Sequence, residues 1–121
     1  MLGEILENVR SKSPMIQNIT NYVTANDCAN ITLACGASPT MSDGEEEAEE
    51  MGRLCDGLNI NMGTLHPRSV KAMLLAGKSA GSCGHPIVLD PVGGGGIHIP
   101  QEDSGTITQG NFFYCHPGKY F

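Results

Sequence analysis

The stretch Pro86–Gly96, PIVLDPVGGGG, decides how the rest of the chain is read. Ile87, Val88 and Leu89 are consecutive branched apolar residues, the kind of run that a buried parallel strand uses. Asp90 stands where the run ends, and a carboxylate at the carboxyl end of such a strand faces the place where α/β sheets collect ligands. Pro91 fixes the exit. Gly93 to Gly96 can then take positive φ and let a ligand approach bare backbone amides. An acidic residue beside a glycine nest points to phosphate plus metal chemistry.

Upstream of this stretch the sequence alternates between two periodicities. Leu2, Ile5, Leu6 and Val9 recur at helical spacing until Ser13-Pro14 closes the pattern, which predicts an amphipathic opening helix. Met15 to Ile19 reads as a short strand followed by a polar turn at Thr20-Asn21-Tyr22. A second helix is expected over Ala25 to Cys35, with Thr24 and Asp27 in a capping box, Cys28, Ile31 and Cys35 on one face, and Gly36 as the stop. Pro39 keeps Ala37 to Met41 out of a central ladder position, which leaves an edge strand or a loop.

Ser42 with Glu45 forms a second expected capping box. Glu45, Glu46 and Glu47 fill the following first turn, where the helix dipole favours negative charge. Consecutive carboxylates on a helix point in different directions, so this run is a solvated helix start rather than a metal cluster. Leu58, Ile60 and Met62 alternate with Asn59 and Asn61 in a strand with one polar side. Pro67 suits a first helical position, and Val70, Met73, Leu74, Gly77 and Ala80 supply the buried face of a long helix ending near Cys83-Gly84. The strand at Ile87 follows directly. Short connections between alternating strands and helices imply right-handed crossovers and a mainly parallel sheet, hence an α/β fold.

Composition narrows the function classes. The 121 residues make at most one modest domain, short for an enzyme with two substrates. Seven basic against thirteen acidic residues leave no electrostatic footprint for nucleic acid or an anionic membrane, so neither is an expected partner. The five cysteines form no C-x-x-C pair, which predicts reduced thiols and a cytoplasmic protein. No apolar span reaches membrane length. The four histidines show no ligand spacing, and none joins a Ser-His-Asp arrangement.

Past Gly96 the character changes. Residues 97–121 have no helical period and mix glycine and proline with aromatics, so the βα rhythm stops there.

Five strings, QNITNYVTANDCAN (17–30), LACGASPTM (33–41), NINMGTL (59–65), SVKAMLLAGKSA (69–80) and VLDPVGGGG (88–96), stand in an order and at separations that resemble the amino-terminal half of bacterial hydroxyethylthiazole kinase. The resemblance implies a partial ribokinase-like three-layer domain with a mainly parallel sheet over residues 1–96. It implies transfer of the ATP γ-phosphate to the hydroxyl of 4-methyl-5-(2-hydroxyethyl)thiazole in thiamine salvage, with Mg2+ as cofactor. Its partners would be the thiazole alcohol and ATP, in a homotrimer with active sites between subunits.

Carried over onto this chain, the resemblance assigns Met41 of SPTM to the thiazole contact and Asn21 and Val23 of ITNYV to the pocket turn. Asp90 of LDPVG becomes the acidic residue near magnesium, and Gly93 lies beside the phosphates. Each has a plainer alternative: Met41 as core filler, Asn21 as the cap of a turn. The family's catalytic residue belongs to a later part of its sequence that has no match here, so the chain as written is expected to be inactive.

The family's continuation, which begins Phe-Arg and ends Ile-Arg-Gly-Asn, is absent from the tail as written. Codons permissible for IPQEDSGTITQGNFFYCHPGKYF, shifted by one base, can nevertheless be chosen to read FRRKTVEQLLKGIFFIVIRGNI. A frameshift near Gly94 to His98 is therefore expected, with 97–121 as an anomalous tail. Two other functions remain open: a non-catalytic binding or assembly fragment, and a different ribokinase-like small-alcohol kinase.

Overall fold

The computed structural model describes residues 1–90 and 92. The elements run α1 Leu2–Lys12, β1 Met15–Ile19, α2 Ala25–Cys35, β2 Ser38–Thr40, α3 Glu45–Leu54, β3 Gly57–Asn61, α4 Pro67–Ser82 and β4 Ile87–Asp90. All three strand pairings are parallel, in the order β2-β1-β3-β4. The expected α/β class and parallel sheet are therefore present, and β2 is the edge strand that Pro39 implied.

The order explains the layers. The chain moves one way from β1 to β2 and the other way from β2 to β3 and β4. Right-handed crossovers then place α2 on one face and α3 with α4 on the other. One core lies between α3, α4 and the sheet, built from Ile19, Leu58, Ile60, Ile87 and Leu89 against Ala48, Ala72, Met73 and Ala76. Ile19 and Ile60 are fully buried, each contributing about 1.5–3 kcal/mol of apolar transfer. Alanines on α4 and Gly52 on α3 let these helices approach until Ser79 Oγ donates to the Glu49 carbonyl at 2.7 Å.

The opposite face is thinner. Neither α1 nor α2 buries a residue completely, and Ile5, Ile31 and Leu33 are exposed. Gly36, at φ 95, ends α2 as expected and lies so close to α1 that a Cβ would stand 2.5 Å from Arg10 Cγ. Val88 departs from the buried run expected of β4. It is half exposed because its side chain faces away from α4, on a part of the sheet that no described helix covers.

Two capping expectations fail. Thr24 is the N-cap of α2, but its hydroxyl bonds Thr20 Oγ1 and Asn21 Oδ1 instead of a helix amide. The helix α3 takes Gly44 as N-cap, and Ser42 is buried outside it. Pro67 does open α4, where the His66 N–H donates to Ser69 Oγ at 3.0 Å and Ser69 Oγ donates back to the His66 carbonyl at 2.9 Å.

Candidate functional site

The carboxyl ends of β1 and β3 open onto a cavity of about 320 Å3. Four segments wall it. The turn after β1 contributes Thr20 to Val23, the loop before α3 contributes Asp43, the end of β3 and the turn after it contribute Asn61, Gly63 and Thr64, and the amino end of α4 contributes His66, Arg68, Ser69 and Met73. This is where a parallel sheet gathers ligands, because loops diverge at the strand ends on either side.

The β1 turn is held by Asn21. Its Oδ1 accepts the N–H groups of Val23 and Thr24, each at 3.1 Å, and the Thr24 hydroxyl at 3.2 Å. The plain capping role open to this residue is thus realised, and at the same time Asn21 lines the cavity. Tyr22 and Val23 project from the same turn, each 85% exposed, at the cavity mouth. Tyr22 Oη donates to Asp43 Oδ2 at 3.4 Å across that mouth.

Asp90 stands beside the cavity rather than in its wall. Its Oδ1 accepts the Val92 N–H at 2.9 Å, and its Oδ2 accepts Asn61 Nδ2 at 3.4 Å. Asn61 and Asp90 are register partners, so the strand ends themselves set them side by side. Among the described residues no three His, Cys, Asp or Glu side chains gather as a metal cluster. A single exposed carboxylate fits a hard cation that takes most of its ligands from phosphates and water, as Mg2+ does.

Met41 lies one residue past β2, partly exposed and outside this cavity's wall. Gly93 falls outside the described residues. Thus Asn21 and Val23 come together, Asp90 is linked to Asn21 only through Asn61, and Met41 stands apart. The first three share the ends of β1 and β4, whereas β2 lies on the far side of β1.

Asn61 was not singled out by sequence, though a signal for it exists. It is the last residue of a strand whose polar side alternates with Leu58 and Ile60, and it sits level with Asp90. Its Oδ1 accepts the Gly63 N–H at 2.8 Å and faces Asn21 Nδ2 at 3.5 Å. A Cβ on Gly63 would lie 3.0 Å from Asn61 Oδ1, 3.1 Å from Asn21 Nδ2 and 3.3 Å from Val92 Cγ2. Glycine at this position therefore lets three strand-end turns meet.

Comparison with known proteins bears on the family and the fold. Residues 6–113 match the hydroxyethylthiazole kinase family. The hydroxyethylthiazole kinase of Clostridium acetobutylicum is 52% identical over 119 residues, covering 92% of this chain and 44% of that protein. That of Ruminiclostridium cellulolyticum is 50% identical over 106 residues, covering 88% and 39% respectively. The solved structure of a Pyrococcus horikoshii hydroxyethylthiazole kinase superposes with a TM-score of 0.83 at 45% identity, over 90% of this chain and 43% of that one. The chain thus spans less than half the length of the relatives it matches. With a parallel ribokinase-like sheet, a cavity at its strand ends and relatives at about half identity, the chain belongs to the hydroxyethylthiazole kinase family.

Proposed function

We propose that this chain carries the alcohol-binding part of an ATP-dependent kinase acting on 4-methyl-5-(2-hydroxyethyl)thiazole. The observation that carries the proposal is the cavity between β1 and β3, walled by Asn21 and Val23, two of the three residues that the resemblance assigns to the alcohol. Its lining joins polar groups from Thr20, Asn21 and Ser69 to the apolar surfaces of Val23 and Met73, which suits a small heteroaromatic alcohol.

In phosphoryl transfer the protein's work is positioning and charge stabilisation. Asn21 keeps the β1 turn rigid, so Val23 is presented at a fixed place. Tyr22 and Asp43 meet across the mouth. Asp90 is the carboxylate in this chain that would hold Mg2+, with Gly93 beside the phosphates. Magnesium bound with ATP supplies neutralisation of the charge on the transferring phosphoryl group. The catalytic residue itself is expected in the part of the fold that the relatives have and this chain does not match.

Met41, exposed and outside its own cavity, supports a homotrimer in which a neighbouring subunit's pocket receives it. We assign the chain to the cytoplasm. We further divide it into residues 1–96, the first half of the kinase domain, and 97–121, a tail read in a shifted frame. The family match runs on to residue 113, past that boundary, so the gene sequence across the glycine run is the test of the division. An unbroken frame whose codons do not yield the shifted string would remove it.

The function is tested by calorimetric titration of the chain with the thiazole alcohol in the absence of ATP, followed by a phosphorylation assay with Mg-ATP. Saturable binding without turnover is the expected pair of results. Absence of binding would overturn the alcohol reading and leave the assembly role, which half-exposed Val88 and the β4 edge, unpaired among the described residues, support.

A further inference from the structure

We propose that Asn61 is a substrate-binding residue that reads the hydroxyl of the alcohol, fixing which end of the ligand points toward Asp90. This inference rests on the alcohol-site proposal above and adds an orientation to it.

Two carboxamides meet on the cavity wall, and among the described residues the donors of both lack a short partner. Asn61 Oδ1 is well occupied by the Gly63 N–H at 2.8 Å. Asn61 Nδ2, in contrast, has among the described residues only Asp90 Oδ2 at 3.4 Å, and Asn21 Nδ2 only Asn61 Oδ1 at 3.5 Å. Both distances lie beyond the usual range for N–H···O bonds. The oxygens therefore lock each side chain in place, while each NH2 group keeps hydrogen-bonding capacity.

A pair of anchored, under-used amide donors on a cavity wall is complementary to an oxygen acceptor. The same cavity also offers the apolar surfaces of Val23 and Met73, which suit the methyl-thiazole ring instead. The hydroxyl then lies at the Asn21–Asn61 pair. Asn61 alone among the described residues both lines the cavity and hydrogen-bonds the Asp90 side chain, so it also joins the cavity to the β4 strand end. An alcohol docked in this sense presents its oxygen toward the Asp90 carboxylate.

The test is a cycle of affinities measured calorimetrically on the full chain. Its two probes are 4-methyl-5-(2-hydroxyethyl)thiazole and its deoxy analogue 4-methyl-5-ethylthiazole. On the unsubstituted chain the alcohol is expected to bind about fivefold to tenfold more tightly than the analogue, the effect of one neutral hydrogen bond. Asn61→Ala should bind the two equally.

Asn61→Asp serves as the second variant. It keeps an oxygen for the Gly63 N–H and so retains the turn, but it has no amide donor, and it should lose the preference as well. If both variants weaken the two ligands by the same factor and keep their ratio, Asn61 is only a structural brace and the inference is overturned. If the unsubstituted chain binds both ligands with equal affinity, no hydroxyl is read and the inference falls while the site stands. If it binds neither, the alcohol site itself is refuted, and this assignment with it.

Discussion

Gly52 of α3 faces Ala76 of α4 so closely that a Cβ on the glycine would lie 2.7 Å from the Ala76 carbonyl oxygen and 3.1 Å from Ser79 Cβ. The two helices touch backbone to backbone at this crossing, and the core behind it depends on that approach. Because the obstructing atom is main chain, it cannot swing aside.

Gly52→Ala is therefore expected to destabilise the chain by about 1–3 kcal/mol, the usual cost of overpacking a close contact, in spite of alanine's better helix propensity. Urea unfolding followed by circular dichroism measures it. A stabilised variant would mean that α3 and α4 are farther apart than described.

The Cys55 thiol predicts an alkaline dependence. Burial raises its pKa above a thiol's ordinary 9.0, with a hydrogen bond to Thr40 opposing and the Asp56 carboxylate adding to the rise. A folded-state pKa above the unfolded one means that the fold holds the proton more tightly. The contribution is complete below the unfolded value and is lost as pH rises through the folded one. The urea midpoint should thus fall above about pH 9 in the unsubstituted chain, and fall less in Cys55→Ala. A thiol-reagent assay adds an independent check: exposed Cys83 should react at once and Cys55 only on unfolding.

Gly63→Ala separates the site from the fold. The atoms that a Cβ would crowd are ends of the Asn61, Asn21 and Val92 side chains, which can shift by a few tenths of an ångström. Stability should change by no more than about 1 kcal/mol, a modest single-site effect. The same shift displaces both carboxamides that wall the cavity, so affinity for the thiazole alcohol should fall severalfold. A large stability loss with unchanged affinity would show that Gly63 serves the fold alone.

The fold was legible in the sequence because its main signals are local. The β3 alternation, Pro67 at the start of α4 and Gly36 at the end of α2 each act within a few residues, and all three elements formed accordingly. The misread caps failed through competition that sequence spacing does not reveal. Thr24 found Asn21 and Thr20 closer than the helix amides, and Gly44 took the cap position that Ser42 was expected to hold. The site was half legible. The strand ends that carry the Asn21 turn and Asp90 could be read locally, with the role of Asn21 an implication of the resemblance, but Asn61 gained its position from the register of β3 against β4. That register is a tertiary fact, and so is the exposure of Val88, which depends on what covers the sheet.

Ser42 supplies a prediction of opposite sign. Its hydroxyl is buried without a hydrogen-bond partner among the described residues, next to Gln17, which is fully buried, donates Nε2 to the Ser42 carbonyl at 3.2 Å and leaves its own Oε1 unpartnered among them. Burying an unpaired hydroxyl costs free energy, whereas the contact that matters to Gln17 comes from the Ser42 main chain and survives substitution. Ser42→Ala should therefore be neutral or stabilising, by up to about 1 kcal/mol in urea unfolding. Gln17→Ala should be clearly destabilising, because it empties a fully buried position on the core side of β1. A loss of stability in Ser42→Ala as large as that of Gln17→Ala would mean that the hydroxyl is paired after all, and that the Gln17–Ser42 contact is a side-chain bond rather than a main-chain one.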